Sequence, residues 1–538
     1  MGNIKISGVD DARHMQNNTE DRPNRMIIRI IGLVSLFVLL RTAWLGDDAF
    51  ITMRTVDNWV NGFGLTWNAS ERVQAYTHPL WMLMLTIVYF FIRDGYFALL
   101  ALNIAVSLAV FFIFLRQFLR EPSSMLAGWG ILILSKSLVD YSTSGLENAL
   151  THLLILLFAI YFLDTNQPIT PRKFLVLSLL AGLGATNRMD AILFFLPALA
   201  YLWFAEFRSL RGIGILMAGM SPFILWEIFS IIYYGFPFPN TAYAKLNSGI
   251  PQSEMFHQGI LYFIDSTTFD PITLLTIGIT FIVIFLHRNN REKALAAGLA
   301  LYFGYVLYIG GDFMRGRFFS AGLLLSAFIL AKHMAGFVPR QKIIVSGLIL
   351  AAGFLSPVPT ISYFLSNPNF LTESQAIIGN PYSQISDERL GYAPTTSLSA
   401  MDHLLKMPRH PWAGQGREYK ANHASVVIEE GVGMIGYYAG PDVHVLDPLA
   451  LGDPLLARLD VISDYWRIGH IKRGIPDGYY ESLKIKKNKI EDPSLEEYYD
   501  KLKIIISGPL LSRERLITIW EMNTGKYNYL LKEYKSRQ

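Results

Sequence analysis

Two adjacent carboxylates, Asp47 and Asp48 in Gly46-Asp47-Asp48-Ala49-Phe50-Ile51, follow directly on a long apolar run. A carboxylate in that position can take the proton of a hydroxyl nucleophile as a new bond forms. Four further polar runs stand in the same relation to apolar ones. Glu147 lies in Ser144-Gly145-Leu146-Glu147-Asn148, and Arg188 and Asp190 in Asn187-Arg188-Met189-Asp190. Asn240 and Lys245 bound the stretch Asn240-Thr241-Ala242-Tyr243-Ala244-Lys245, while Asp312, Arg315 and Arg317 belong to Gly311-Asp312-Phe313-Met314-Arg315-Gly316-Arg317-Phe318. Arg and Lys can stabilise charge that builds on a departing phosphate, and Arg offers a planar fork for it. Arg188, Lys245, Arg315 and Arg317 are the candidates for that role, with Asp190, Asn240 and Asp312 beside them as donor-binding groups. His78, in Tyr76-Thr77-His78-Pro79-Leu80-Trp81, can contact phosphate, relay a proton, or cap the helix that follows. The chemistry that fits is group transfer from a phosphate leaving group to a hydroxyl. Neighbouring carboxylates do not easily reach one hydroxyl, so one of Asp47 and Asp48 is expected to be the base while the other orients the loop or binds a cation.

The elements that must position these groups are membrane helices. The chain has 538 residues, 52% of them hydrophobic and only 17% charged, and its mean hydropathy is positive. Such a composition is foreign to ordinary soluble domains. Apolar runs occur near 26–45, 96–115, 125–140, 149–163, 174–186, 191–205, 213–233, 272–287, 294–309, 318–332 and 343–362, which predicts about eleven spanning helices. The run from Pro79 to Ile92 is too short for a full crossing and suits a re-entrant or interfacial helix. With that run excluded, the loops carrying Arg116/Arg120, Arg172/Lys173, Arg208/Arg211, Arg288/Arg291/Lys293 and Lys332/Arg340/Lys342 share the side of Arg22 and Arg25. By the positive-inside rule that side is cytoplasmic. All five polar runs then fall together on the outer face, where capping alone would have scattered charges over both faces.

Residues 1–25 read as a polar, disordered cytoplasmic tail, 26–362 as the transmembrane core, and 363–538 as a soluble α/β outer domain with strand-like runs at 425–428 and 443–446. Between the first two motifs, 53–62 has apolar residues at helical spacing and predicts an amphipathic helix lying on the membrane, ended by Gly62 or Gly64. The net charge of +4 reports topology, not nucleic-acid binding, and with no cysteine in the chain disulfides and thiolate chemistry are excluded.

The order Gly46-Asp47-Asp48-Ala49-Phe50-Ile51, Tyr76-Thr77-His78-Pro79-Leu80-Trp81 and Ser144-Gly145-Leu146-Glu147 resembles the GT-C glycosyltransferases that use polyprenyl-phosphate sugars. Among them it is most similar to the mycobacterial terminal β-arabinofuranosyltransferase group. The stretch Glu430-Gly431-Val432-Gly433-Met434-Ile435-Gly436-Tyr437-Tyr438, continuing to Leu446-Asp447-Pro448-Leu449-Ala450-Leu451-Gly452-Asp453, is similar to that group's outer domain. The resemblance implies a polytopic α-helical GT-C-like membrane core in a bacterial inner membrane, a decaprenyl-type donor, and transfer at the periplasmic face. It implies the catalytic base at Asp47 or Asp48, and a second acidic site at Glu147. Arabinofuranose is the preferred sugar, the acceptor is a cell-envelope glycan or a surface protein, and the stereochemical course stays open. No cofactor is required on this reading, although an oxygen-rich site suits Mg²⁺ or Ca²⁺. The rival readings are a transporter or flippase for a lipid-linked sugar, which would favour charges near mid-membrane and repeated halves, and a non-catalytic scaffold. Neither explains carboxylates aligned at the mouths of the helices.

Overall fold

The computed structural model describes residues 26–165, 168–246, 249–287, 289–360, 384–401, 406–461 and 466–537. The expected tail at 1–25 and the expected start of the outer domain at 363 lie outside the described residues. The architecture is a bundle of apolar helices with a largely helical C-terminal portion (the outer portion) packed against it.

The predicted apolar runs form helices, but several are broken where the sequence supplies a breaker. Among the described residues three helices are long and apolar enough to cross a membrane unaided, Gly95–Arg116, Met189–Glu206 and Arg317–Met334, and up to six spans result if each bent pair counts as one. The run near 213–233 becomes Leu210–Gly219 and Ser221–Tyr233, bent by 64°, with Pro222 in the first turn of the second helix. The run near 125–140 becomes Pro122–Leu134 and Lys136–Tyr141, separated at Ser135, whose side chain caps the second piece by accepting from the Leu138 amide. The described bundle therefore contains several shorter or broken helices among the expected runs. The helix Arg317–Met334 is its central strut, 89% buried, so Arg317 enters the site from a rigid support.

The first helix, Met26–Thr42, gives way at 43–46, and the chain turns by 90° into the helix Asp47–Val60. Gly46 makes the corner in an extended conformation. This second helix begins at Asp47, earlier than the expected amphipathic segment, and ten of its fourteen residues are buried. Its polar and apolar alternation reflects packing between the bundle helices and the helix Val432–Ala439. The helix Pro79–Ile92 is 14 residues long, roughly 21 Å at the α-helical rise and short of the hydrocarbon thickness. Pro79 stands at its first position, where no amide hydrogen is needed.

The outer portion carries strands where they were expected, Val426–Ile428 and His444–Leu446, paired in parallel with Val427 opposite Val445. They are joined through the helix Val432–Ala439. The remainder is largely helical, and its core is built by residues such as Leu446 of the second strand, Leu455, Tyr479, Leu495 and Leu502, with Phe236 and Ala244 contributed from the bundle side.

Candidate active site

Backbone and side-chain bonds draw the three motifs together. The Gly46 amide donates to the Ser144 carbonyl at 3.1 Å, and Trp81 Nε1 donates to the Gly145 carbonyl at 3.1 Å. Gly145 has φ +86°, and a Cβ there would meet Ala49 Cβ at 2.6 Å and Leu45 Cδ2 at 2.9 Å. Glycine is required both for the left-handed turn and for the close approach. From the helix Asp47–Val60, Thr52 Oγ1 hydrogen-bonds His78 Nε2 at 2.7 Å. Asp48 precedes Thr52 by four residues and so shares its helix face. It looks toward the same side as His78.

Glu147 is the hub of the cluster. It is wholly buried, with Arg188 Nη1 at 2.6 Å, Arg317 Nη2 at 3.1 Å and His78 Nδ1 at 3.2 Å. Burial pushes its pKa up, but the opposite charge of Arg317, then His78 and Arg188, outweighs that and holds the carboxyl well below the usual range. Arg188 also forms a fork with Asp190, at 2.9 and 2.6 Å, and Asn187 donates to the Glu147 carbonyl. Arg317 reaches Asp312 only at 3.5 Å. Its buried Nε has no hydrogen-bond partner among the described residues. Arg188 and Arg317 both lie over the ring of Phe318, at 5.0 and 6.0 Å from its centre.

The two aspartates divide sharply. Asp47 is buried, and its carboxylate accepts from the amides of Gly433 at 2.9 Å and Met434 at 2.7 Å, at the start of the helix Val432–Ala439. A helix start and two amides favour negative charge, but burial outweighs them and pushes the Asp47 carboxyl up to about 7. A Cβ on Gly433 would collide with the Asp47 backbone. Asp48 is partly exposed and makes no hydrogen bond or ion pair to any described residue, yet lies within electrostatic range of Arg317, Glu388 and Tyr392.

Other candidates sit elsewhere. Arg315 forms a buried fork with Asp265 at 2.8 and 3.1 Å and stacks on Phe269 at 3.6 Å. Asp387 lies beyond it at 3.7 Å, within an ion network that also holds Lys136, Asp140 and Arg389. Asn240 donates to the carbonyls of Ala450, Leu451 and Asp453, fastening an outer loop. Lys245 is exposed. The structure thus gathers Asp48, His78, Glu147, Arg188, Asp190, Asp312 and Arg317, and leaves Asp47, Asn240, Lys245 and Arg315 in supporting or peripheral positions. Among the described residues no three His, Asp or Glu side chains are grouped to hold a metal ion.

Sequence reasoning missed Thr52, Glu388 and Arg54. Arg54 is buried and donates to the carbonyls of Trp67, Gly436 and Val443 and to Asn68 Oδ1. An arginine amid apolar helical spacing was the signal available for it.

No family model matches the chain. It is similar to the terminal β-(1→2)-arabinofuranosyltransferase of Mycobacterium tuberculosis, 25% identical over 81% of each chain. It is also similar to the enzyme of that name from Corynebacterium glutamicum, 27% identical over 86% of this chain and 78% of the other. Among solved structures, that of ArnT from Cupriavidus metallidurans bound to undecaprenyl phosphate aligns with a TM-score of 0.50 at 11% identity, covering 79% of this chain and 87% of that one. The fold is accordingly like that of ArnT, and the chain is a membrane protein.

Proposed function

We propose that the chain is a membrane glycosyltransferase that moves a monosaccharide, D-arabinofuranose by preference, from a polyprenyl-phosphate donor to a hydroxyl of a cell-envelope glycan or surface protein. The curated relatives support the sugar, and the lipid phosphate held by the structural neighbour supports the donor class. The observation that carries the reading is the convergence of three sequence-distant motifs, through Thr52, His78 and Glu147, on a single cluster of carboxylates and guanidiniums.

In this reading Asp48 is the base, because its carboxylate is unspent whereas that of Asp47 is committed to two amides. The acceptor hydroxyl gives its proton to Asp48 as its oxygen bonds to the anomeric carbon, and the bond from that carbon to the phosphate oxygen breaks. The leaving phosphate needs positive charge in a fixed place. Two guanidiniums face four carboxylates here (Asp48, Glu147, Asp190 and Asp312), so the phosphate must compete for them. Arg317 has the capacity, since its contact with Asp312 is loose and its Nε is unpartnered. Glu147 holds Arg188, Arg317 and His78 in register and does not itself react. Catalysis is assigned to the periplasmic face of a bacterial inner membrane, with the N terminus cytoplasmic, residues 26–362 as the core and 363–538 as the outer domain.

The test is turnover of labelled polyprenyl-phospho-arabinose by the purified chain with a glycan acceptor. Bond cleavage abolished by Asp48→Asn supports the reading. Movement of intact donor across the bilayer without cleavage refutes it in favour of a transporter.

A further inference from the structure

The helix Arg513–Asn523 carries apolar residues on both its buried and its exposed face. Its inward face consists of Arg515, Thr518, Ile519 and Met522, while Leu516, Ile517 and Trp520 point outward, Trp520 with 72% of its surface exposed. Leu511, just before the helix, is 71% exposed and lines one shallow hollow with Leu516, Ile517 and Trp520, rimmed by the charged Arg513 and Glu521. A contiguous apolar face of this kind on the outside of a folded protein marks a contact surface.

What covers it follows from where it is fastened. Arg515 donates to the carbonyls of Ile232 and Tyr233, both at 2.7 Å, and Asn523 donates to that of Gly235 at 2.8 Å. These carbonyls end the apolar helix Ser221–Tyr233, on which Leu225 is 65% exposed and Ile228 50%. In a membrane protein such residues face lipid. Arg513–Asn523 is thereby held at the end of that helix, where its outward apolar residues lie beside the mouth of a span. Its composition is that of the interface, with an amphipathic indole at its most exposed position and an exposed Arg513 at its rim.

We infer that Arg513–Asn523 is an interfacial anchor whose Leu511, Leu516, Ile517 and Trp520 are immersed at the boundary between headgroups and acyl chains of the outer leaflet. The end of Ser221–Tyr233 adjoins the candidate active site, for Tyr234 Oη lies 2.8 Å from Tyr76 Oη, two residues from His78. The anchor therefore fixes the depth of the outer portion, and of that mouth, relative to the bilayer. The inference requires only that the chain is membrane-embedded and does not depend on the reaction proposed.

The absence of cysteine makes the test clean. Single variants Ile517→Cys, Trp520→Cys, Leu225→Cys and Lys532→Cys of the full chain, each at an exposed residue, are spin-labelled and reconstituted in vesicles of phosphatidylethanolamine and phosphatidylglycerol. Relaxation by oxygen, which partitions into lipid, is compared with relaxation by a water-soluble nickel chelate. The expected oxygen-to-nickel ratio exceeds one at 517 and 520, as at the lipid-facing reference 225, and falls below one at 532. Ratios at 517 and 520 matching that at 532 would overturn the inference. So would labels there shielded from both reagents, which would mean that a protein covers the face.

Discussion

Substituting the two adjacent aspartates one at a time separates a structural carboxylate from a chemical one. Asp47 accepts two amide hydrogen bonds from the start of the helix Val432–Ala439. Hydrogen bonds contribute roughly 0.5–1.5 kcal/mol each between neutral groups and roughly 1.5–3 to a charged one, and burial pushes the Asp47 carboxyl up to about 7, so Asp47→Ala, which removes both bonds, is expected to cost roughly 1–6 kcal/mol. Asp47→Asn retains a carbonyl for one amide and loses the second acceptor, at about 1–3 kcal/mol. Both variants should therefore melt earlier and release the outer portion to protease, with residual turnover proportional to folded protein. Asp48 makes no such bonds, so Asp48→Asn should melt within a degree or two of the parent while kcat falls by about 10²–10⁴, the usual contribution of a general base. The assay pairs thermal melting in detergent with initial rates on labelled donor, normalised to folded protein. A stable but inactive Asp47→Asn together with an active Asp48→Asn would refute the assignment of roles.

Glu147→Gln leaves the buried Arg188 and Arg317 without their shared counter-ion. A loss of about 3–5 kcal/mol in stability with a severe fall in turnover is expected by melting and rate measurement, and parent-like behaviour would show that Glu147 does not organise the cluster. Arg317→Lys should raise the donor KM or lower kcat by about tenfold or more, whereas Arg315→Lys, in its separate ion network, should act on stability first; equal kinetic effects would contradict this. Chelation by EDTA is expected to leave most activity intact, because guanidiniums are assigned to the phosphate, and a full loss reversed by a divalent metal would overturn that. Three buried carboxyls outside the bundle, Glu71, Asp447 and Asp453, are pushed up, chiefly by burial, to about 8, 7 and 6. They hold protons in the folded state that the unfolded chain releases near 4, so their stabilising effect is complete below that and lost as pH rises through 6 to 8. Melting of the outer portion should accordingly occur at lower temperature at pH 8.5 than at pH 5.5, and a flat profile would count against it.

The apolar runs were legible because a membrane helix needs length and hydropathy, both local properties. Glu147, Arg188 and Arg317 were legible as ionisable groups at helix ends, where isolated charge is costly. What could not be read was partnership. Asp47 and Gly433 are 386 positions apart, and no periodicity links them. Arg315 and Arg317 look equivalent in sequence, yet the left-handed turn at Gly316, with φ +74°, sends one toward Asp265 and the other toward Glu147. The 53–62 segment was recognised as amphipathic, but amphipathicity identifies an interface without naming its two sides. The side expected to meet lipid and headgroups is covered by the helix Val432–Ala439.

These long-range partnerships bear on how the outer portion should be regarded. An appended domain meets its neighbour through surface side chains that water could satisfy equally well. Here the guanidinium of Arg54, in the helix that carries Asp48, is buried and donates to Gly436 and Val443 carbonyls, and the neighbouring Asp47 carboxylate is closed over by Gly433 and Met434 amides. Detaching the outer portion would strip the Arg54 guanidinium of two of its four acceptors, leaving Trp67 and Asn68, and the Asp47 carboxyl of both its amide donors, each bond contributing about 0.5–3 kcal/mol. Asn240, through Ala450, Leu451 and Asp453, fastens a second point, and Arg515 a third at the end of Ser221–Tyr233. The direction in which Asp48 faces is thus set jointly by the bundle, through Gly46, Gly145 and Thr52, and by the outer portion, through Asp47 and Arg54. The outer portion is a wall of the candidate site before it is anything else.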